Sequence, residues 1–413
     1  MSIWIKNERA GWIAAGMMLA GTAVHAEGLG PIGGAISEAK PIFDARLRME
    51  DVDQDPMANE AEAVTLRTRL GFETGKAWET ALLMEGELVW PLRSDYNSTT
   101  NGETQYPIVA DPESYEINRL QLVNTRIPLT TVTLGRQRIV LDDQRFIGNS
   151  GWRQNEQTFD ALRIVNKTVT NLTIDMSYVE QVNRIYGKES PQGRYEGESL
   201  LANIAYQFPV GKLTGYSYRI KIDPIVSVPA AVRDSSDTLG LRFAGERPLS
   251  KIKVAYAAAY ATQQEAGDNP LNFDNDYYLV ELTGTYRQYS LGIGQEVLEG
   301  NGVKGFTTPL ATLHKFQGWA DKFLVTPPNG IDDRYVNAGM TLKGVGPLDT
   351  LTAQASYHLY EAQRIAFDYG SEINVQLQAK WQRFLGTVKY ADYHADRLLT
   401  DTKKLWVQLD YVW

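Results

Sequence analysis

Two pairs of arginines, Arg46 with Arg48 and Arg67 with Arg69, are each separated by one residue within short alternating stretches. On a β-strand that spacing puts both members of a pair on one face. A guanidinium fork binds a carboxylate at two points, so four such groups on one surface suit an anion. Ser356 and His358 share the same spacing and have the types of a nucleophile and its base. Glu85 and Glu87 have the types of a glycosidase pair. Strand alternation alone produces both patterns, so they read as polar residues on a solvated face and the chain reads as no enzyme. Cysteine is absent, and His25, His314, His358 and His394 fall in no metal-ligand spacing, so no metal or cofactor is assigned.

The elements that would position these groups are strands with a two-residue period. Phe43, Ala45, Leu47 and Met49 oppose Asp44, Arg46, Arg48 and Glu50. Val64, Leu66, Leu70 and Phe72 oppose Arg67, Arg69 and Glu73. Tyr216, Tyr218, Ile220 and Ile222 oppose Ser217, Arg219 and Lys221, and Leu239, Leu241 and Phe243 oppose Arg242. Val375, Leu377, Ala379 and Trp381 oppose Glu372, Asn374, Gln376, Gln378 and Lys380. With the apolar sets outward, the inward cations are Arg46, Arg48, Arg67, Arg69, Arg163, Arg219, Lys221, Arg242, Lys253, Lys380 and Lys389. Asp44, Glu73, Glu79, Glu85, Glu87, Asp175, Glu281 and Glu372 share their space. Arg119 fits inward if Leu120 and Leu122 face out. Arg136 and Arg138 break the rule, having the parity of Val132 and Leu134. Facing lipid at mid-depth, each would cost about 2–4 kcal/mol, so either a bulge re-aims the strand or they lie beyond the apolar band.

The first residues read as a secretory signal: Lys6 and Arg9, an apolar run from Ala10 to Ala23, then Val24-His25-Ala26. The cut is expected after Ala26, leaving 27–413 as one domain and taking the formal charge from −9 to −10. That balance argues against nucleic acid as a partner. No later apolar run is long enough to span a bilayer as a helix, and a secreted chain that crosses lipid without helices needs a closed barrel. Short links such as Arg287–Gln288 alternate with long ones such as Pro91–Ser114 and Gly300–Asp333. About eighteen strands are expected, all-β and antiparallel, with short periplasmic turns and long outer loops. The terminal stretch alternates Leu405, Val407, Leu409, Tyr411 and Trp413 with polar residues and ends on an aromatic. Such strands resemble the signal read by the outer-membrane assembly machinery, so the chain is expected in the Gram-negative outer membrane, among lipid.

Three stretches carry a family resemblance. Thr133 to Ile139 (TLGRQRI), Asp142 to Trp152 with Thr158 to Arg163, and Phe306 to Asp321 are similar to the alginate export family of outer-membrane porins. The resemblance implies a monomeric eighteen-stranded barrel, a basic constriction and passage of the polyuronate alginate. It carries over Arg136, Arg138 and Asp160 as pore residues. The pore set is thus Arg46, Arg48, Arg67, Arg69, Arg119, Arg136, Arg138, Asp160, Arg163, Arg219 and Arg242. Two readings stand: a passive channel for anionic saccharides or organic acids, and a receptor or structural barrel with a plugged lumen. Transport direction and a periplasmic export partner stay open. In 300–333, Thr308-Pro309 could open a short helix with Leu310, Leu313, Phe316, Trp319 and Phe323 on one side, folding inward as a gate or lying over the mouth.

Overall fold

A computed structural model describes residues 30–413; the expected leader and its cut lie outside them. Among the described residues eighteen antiparallel strands form one sheet. They are β1 (Lys40–Gln54), β2 (Ala61–Glu73), β3 (Thr80–Asp95), β4 (Ser114–Asn124), β5 (Thr130–Gln137) and β6 (Thr158–Asn166). Next come β7 (Leu172–Asn183), β8 (Arg194–Phe208), β9 (Gly211–Ile220), β10 (Ser236–Leu249), β11 (Ile252–Glu265) and β12 (Asp274–Tyr286). The last six are β13 (Tyr289–Leu298), β14 (Ile331–Val345), β15 (Leu348–Glu361), β16 (Asp368–Trp381), β17 (Phe384–Ala395) and β18 (Thr402–Val412). Each strand pairs with its sequence neighbours, and β18 pairs with β1, so no edge is left to face hydrocarbon. A short helix, α1 (Pro31–Ser37), precedes β1 and hydrogen-bonds the β2–β3 turn through Gly75 N–H to Ala35 O at 2.8 Å.

The wall follows the alternation. Leu47, Leu122, Leu134, Leu162, Leu200, Leu241, Val280 and Leu377 are exposed on the outer face and make it apolar, as a lipid-facing wall requires. Arg48, Glu50, Arg67, Glu85 and Glu87 are buried on the inner face. Two-residue turns at 209–210, 250–251, 287–288, 346–347 and 382–383 mark one end, and the longer links mark the other.

β9 departs from the expected parity. Tyr216, Tyr218 and Ile220 are buried inside, and Arg219 is an outward residue with its side chain 62% exposed. The reason is what fills the barrel. Phe146, from the link between β5 and β6, packs against Tyr216 and Tyr218 at 5.2 and 6.0 Å between centroids, and against Tyr277 and Phe306. Aromatics on the inner face therefore meet protein, not water. Arg219 instead forms a two-point pair with Asp237 at 2.8 and 2.9 Å on the outer surface.

Two links, 138–157 and 299–330, enter the lumen and pack on each other. Gly148 N–H donates to Leu310 O (2.9 Å), Thr312 N–H to Gln144 O (3.1 Å), and the Gln157 amide to Leu310 O (2.9 Å). Their apolar residues Ile139, Ile147, Phe306, Leu310 and Phe323 join wall residues such as Tyr360, Tyr393 and Trp406 in one buried cluster. The helix expected near Thr308-Pro309 does not form; only a 3-10 turn at Leu313–Lys315 is helical. Positive φ at Gln317, Gly318 and Asp321 interrupts any longer run. Gly318 is required here, because a Cβ would lie 2.3 Å from the Tyr360 hydroxyl and 2.4 Å from the Glu372 carboxylate.

Candidate functional site

The inner face of β1 and β2 carries the densest cationic surface. Register places Arg46 directly opposite Arg67, and Asp44 opposite Arg69. Like charges directly opposite each other destabilise a strand pair, so this placement costs stability that the ladder itself does not return. Partial compensation comes from neighbours. Arg46 Nε donates to Asp410 at 2.7 Å, Arg67 pairs with Asp44, and Arg69 Nε donates to Glu87 at 2.5 Å. Arg67 keeps Nε and Nη1 buried with no acceptor among the described residues.

Above this pair the file continues along segment 138–157. Arg48 stacks over Trp152 at 4.2 Å, donates to the Trp152 carbonyl at 2.5 Å, and faces Asp111 at 3.4 Å. Arg46 Nη1 reaches the carbonyls of Gly151 and Trp152, each at 3.0 Å. Arg153 pairs with Glu50 at 3.2 Å and Asp321 at 2.7 Å. Burial opposes the charge on Arg153, but Glu50, Asp321 and Asp111 outweigh it and raise its pKa. Lys404 completes the outer end, 3.2 Å from Asp321. The cations thus run from Lys404 and Arg153 past Arg48 to Arg46, Arg67 and Arg69.

Segment 299–330 is fastened to the wall beside this file. Asp321 accepts from Arg153, Lys404 and His314 Nδ1 (2.7 Å). Burial raises a carboxyl, yet His314, Lys404 and Arg153 hold Asp321 well below the usual range. Burial pushes His314 down to about 3, against the pull of Asp321, so its ring is neutral at pH 7. The contacts then assign the proton to Nδ1, leaving Nε2 to accept from Lys389 Nζ at 2.7 Å. The Lys389 ammonium also sits 3.7 Å from the Trp319 ring and 4.2 Å from the Trp152 ring. Glu372 accepts the backbone N–H groups of Trp319 and Ala320 at 2.5 and 2.9 Å.

The remaining expected pore residues divide. Arg119 is inward, clamped on Glu85 at 3.0 and 2.6 Å. Arg138, just past β5, reaches Glu156 at 2.5 Å and Glu85 at 3.5 Å. Burial raises the Glu156 carboxyl, but Arg69 and Arg138 dominate and hold it below its ordinary value. Arg163 pairs with Asp175, and Arg242 with Asp143 of segment 138–157 at 3.0 Å. Arg136 keeps the parity of Leu134 and lies in register with Leu120 and Asp160. It binds Asp160 at two points, 2.7 and 2.8 Å, and Asp160 also accepts from Asn183 at 3.1 Å. Arg136 and Asp160 therefore form a polar clasp in the wall near its outer rim. The residue before Arg136, Gly135 at φ 111°, has no room for a side chain, since a Cβ there would meet the Leu120 carbonyl at 2.3 Å. Arg219 stands outside the lumen altogether, a correction to the expected set.

Sequence reasoning missed Arg153, Asp111, Glu156 and Asp321. Their links have no period, so alternation says nothing about them. Asp321 closes one of the resembling stretches, and Arg153 directly follows another. Lys404, on the polar face of the last strand, was also outside the expected set of inward cations.

Ser356 and His358 line a cavity of about 540 Å³ with Asp333, Tyr335, Asn337 and Glu296. Ser356 Oγ is 3.1 Å from His358 Nε2, and His358 Nδ1 is 3.0 Å from Asp333. β15 is paired on both sides, so the backbone N–H groups around Ser356 belong to the ladders and supply no oxyanion hole. Among the described residues no cluster could hold a metal ion.

The alginate export family model matches residues 120–286, under half of the chain. The match covers the Thr133–Ile139 and Asp142–Arg163 stretches; Phe306–Asp321 lies beyond it. No curated protein matches in sequence. Solved structures share the fold over nearly their whole length. Pseudomonas aeruginosa OpdK, solved with vanillate, superposes with TM-score 0.71 at 12% identity, covering 91% of this chain and 98% of its own. Acinetobacter baumannii OccAB4 gives 0.70 at 14%, covering 91% and 98%. P. aeruginosa OpdL gives 0.67 at 17%, covering 91% and 99%. The chain is a closed eighteen-stranded antiparallel β-barrel that shares its fold with these structures, and its segment 120–286 is similar to the alginate export family.

Proposed function

We propose that this barrel passes carboxylate-bearing solutes, acidic saccharides such as alginate fragments above all, along the cationic file from Lys404 and Arg153 to Arg67 and Arg69. The observation that carries the reading is the cross-strand pair Arg46–Arg67, inward and in register, with two Arg67 donors that meet no protein acceptor among the described residues. A carboxylate that enters between the two guanidiniums, as neighbouring side chains make way, would satisfy those buried donors and screen the repulsion. Rings of Arg or Lys select anions in pores by the same physics. OpdK was solved with vanillate, an aromatic carboxylate, and the family that matches 120–286 is named for a polyuronate. The shared feature is the carboxylate.

Arg46, Arg48, Arg67, Arg69, Arg119 and Arg138 are the contact residues, with Arg163 on the inner face of β6 and Arg242 on that of β10, across the barrel. Arg136 and Asp160 act on the wall rather than on the solute. The mature chain starts at Glu27 after signal cleavage, works as a monomer, and enters the membrane through recognition of its last strand. A second reading, a barrel that does not conduct, is favoured by one observation: both inward segments are fastened to opposite sides of the wall. Single-channel recording of the purified protein, with and without oligouronate, separates the two. Unitary steps that oligouronate interrupts support the channel; a silent bilayer supports the plug.

A further inference from the structure

The lumen acids of this barrel are of two kinds. Asp44, Glu50, Glu85, Glu87 and Asp410 belong to wall strands and cannot leave. Asp321 belongs to segment 299–330, which is no part of the sheet, and its backbone sits at φ 61°, a conformation that aspartate adopts more readily than most other non-glycine residues. Its carboxylate is 5% exposed and takes Arg153 Nη2 at 2.7 Å and Lys404 Nζ at 3.2 Å. Those two cations come from a different inward segment and from β18. They stand at the outer end of the file, where β18 begins and Lys404 lies opposite Val52 of β1. A guanidinium and an ammonium converging on one carboxylate are the contacts a solute carboxylate would seek in the same place.

We infer that the outermost step of the file is a carboxylate subsite, Arg153 with Lys404, which the chain keeps filled with its own Asp321 and which a solute carboxylate occupies by displacing it. The inference rests on the anion-channel reading. Displacement removes the tie between β18 and segment 299–330 at Asp321, so solute arrival and loosening of the segment are one event. A tethered carboxylate competes at an effective concentration in the millimolar range, so free carboxylates bind weakly until it is removed.

The test uses the purified full-length protein in planar bilayers, with sodium glucuronate as the probe. The readout is the glucuronate concentration that halves the chloride current. Asp321→Asn should lower it about tenfold, because the competent fraction of the subsite rises. Asp321→Glu restores a carboxylate and should return the value toward wild type. Asp321→Asn combined with Lys404→Gln should lose the gain, since the subsite itself is then damaged. An unchanged value in Asp321→Asn overturns the inference. So does a gain that survives in the double variant, which would mean general loosening rather than an unmasked site. Heat-modifiable migration on gels checks that each barrel is folded.

A second measurement keeps Asp321 intact. The chain has no cysteine, and Lys322 Nζ touches Thr402 Oγ1 at 2.7 Å. Lys322→Cys with Thr402→Cys, joined by a short bis-maleimide, pins the segment to the wall. Glucuronate should then fail to reduce the chloride current at concentrations that halve it before linking. An unaltered response overturns the inference. A wild-type channel with no preference for anions contradicts the channel reading itself, whatever Asp321→Asn does.

Discussion

Arg67 and Arg219 were indistinguishable as inward arginines of alternating strands, and the folded chain gives them opposite surroundings. Arg67 is buried in the lumen with two donors that no described residue satisfies. Arg219 is an outward-facing residue whose charge Asp237 answers at two points. Neutralising each should tell them apart. Arg67→Gln is expected to reduce the anion preference measured by reversal potential. Arg219→Gln is expected to leave it at the wild-type value, because its charge lies on the far side of the wall. A second residue-scale expectation concerns acid. An undocked histidine titrates near 6.5, and burial holds His314 down to about 3. Between those values the undocked state binds a proton that the docked state refuses. The His314 contribution to docking is therefore complete above pH 6.5 and is lost as pH falls toward 3. Acrylamide quenching of tryptophan should rise from pH 7 to pH 4 in the wild type, and rise less in His314→Gln.

Among the elements, the walls were legible and the links were not. Alternation identified β1, β2, β10 and β16 with the correct faces, because in those strands the outer residues are bulky and apolar and the inner ones include charged or amide-bearing side chains. It failed at β9, where Tyr216 and Tyr218 look like lipid-facing residues. They face inward because Phe146 arrives from a link with no period of its own. No local pattern reveals that a link will enter the barrel; that depends on its partner, here the pairing of 138–157 with 299–330 by backbone and amide hydrogen bonds. The resemblance flagged parts of both segments, yet not their contact. The cationic site was accordingly half legible: Arg46, Arg48, Arg67, Arg69 and Arg119 from alternation, and Arg153 and Asp321 only from the fold. Two expectations belong to this scale. Leu241, outward and exposed to lipid, should cost about 2–4 kcal/mol when changed to Arg near mid-depth, read as a lower urea midpoint for barrel unfolding in vesicles. Replacing 303–327 by a short Gly-Ser link should leave a heat-modifiable barrel, since the sheet closes through β18–β1 pairing without that segment. Its unitary conductance should exceed that of the intact chain. Equal conductance would place the resistance elsewhere in the lumen.

At the scale of the molecule, a formal charge of −9 accompanies a file of cations, and the two do not conflict. Charges beyond roughly 8–10 Å are screened at physiological salt, so acids such as Glu60, Glu103 and Asp268 at the outer end act weakly on a solute in the lumen. Arg46, Arg67 and Arg69 act at contact distance and in a lower dielectric, where the same charge weighs more. Carboxylates within the lumen take up part of this field, and anion selectivity rests on the part left over at Arg67. Reversal potential under a salt gradient, for the wild type and for Arg67→Glu combined with Arg69→Glu, tests it most directly. Anion preference is expected in the wild type, with a shift toward cations in the double variant. Cation preference in the wild type would contradict it, and an unshifted double variant would remove Arg67 and Arg69 from the path of the solute.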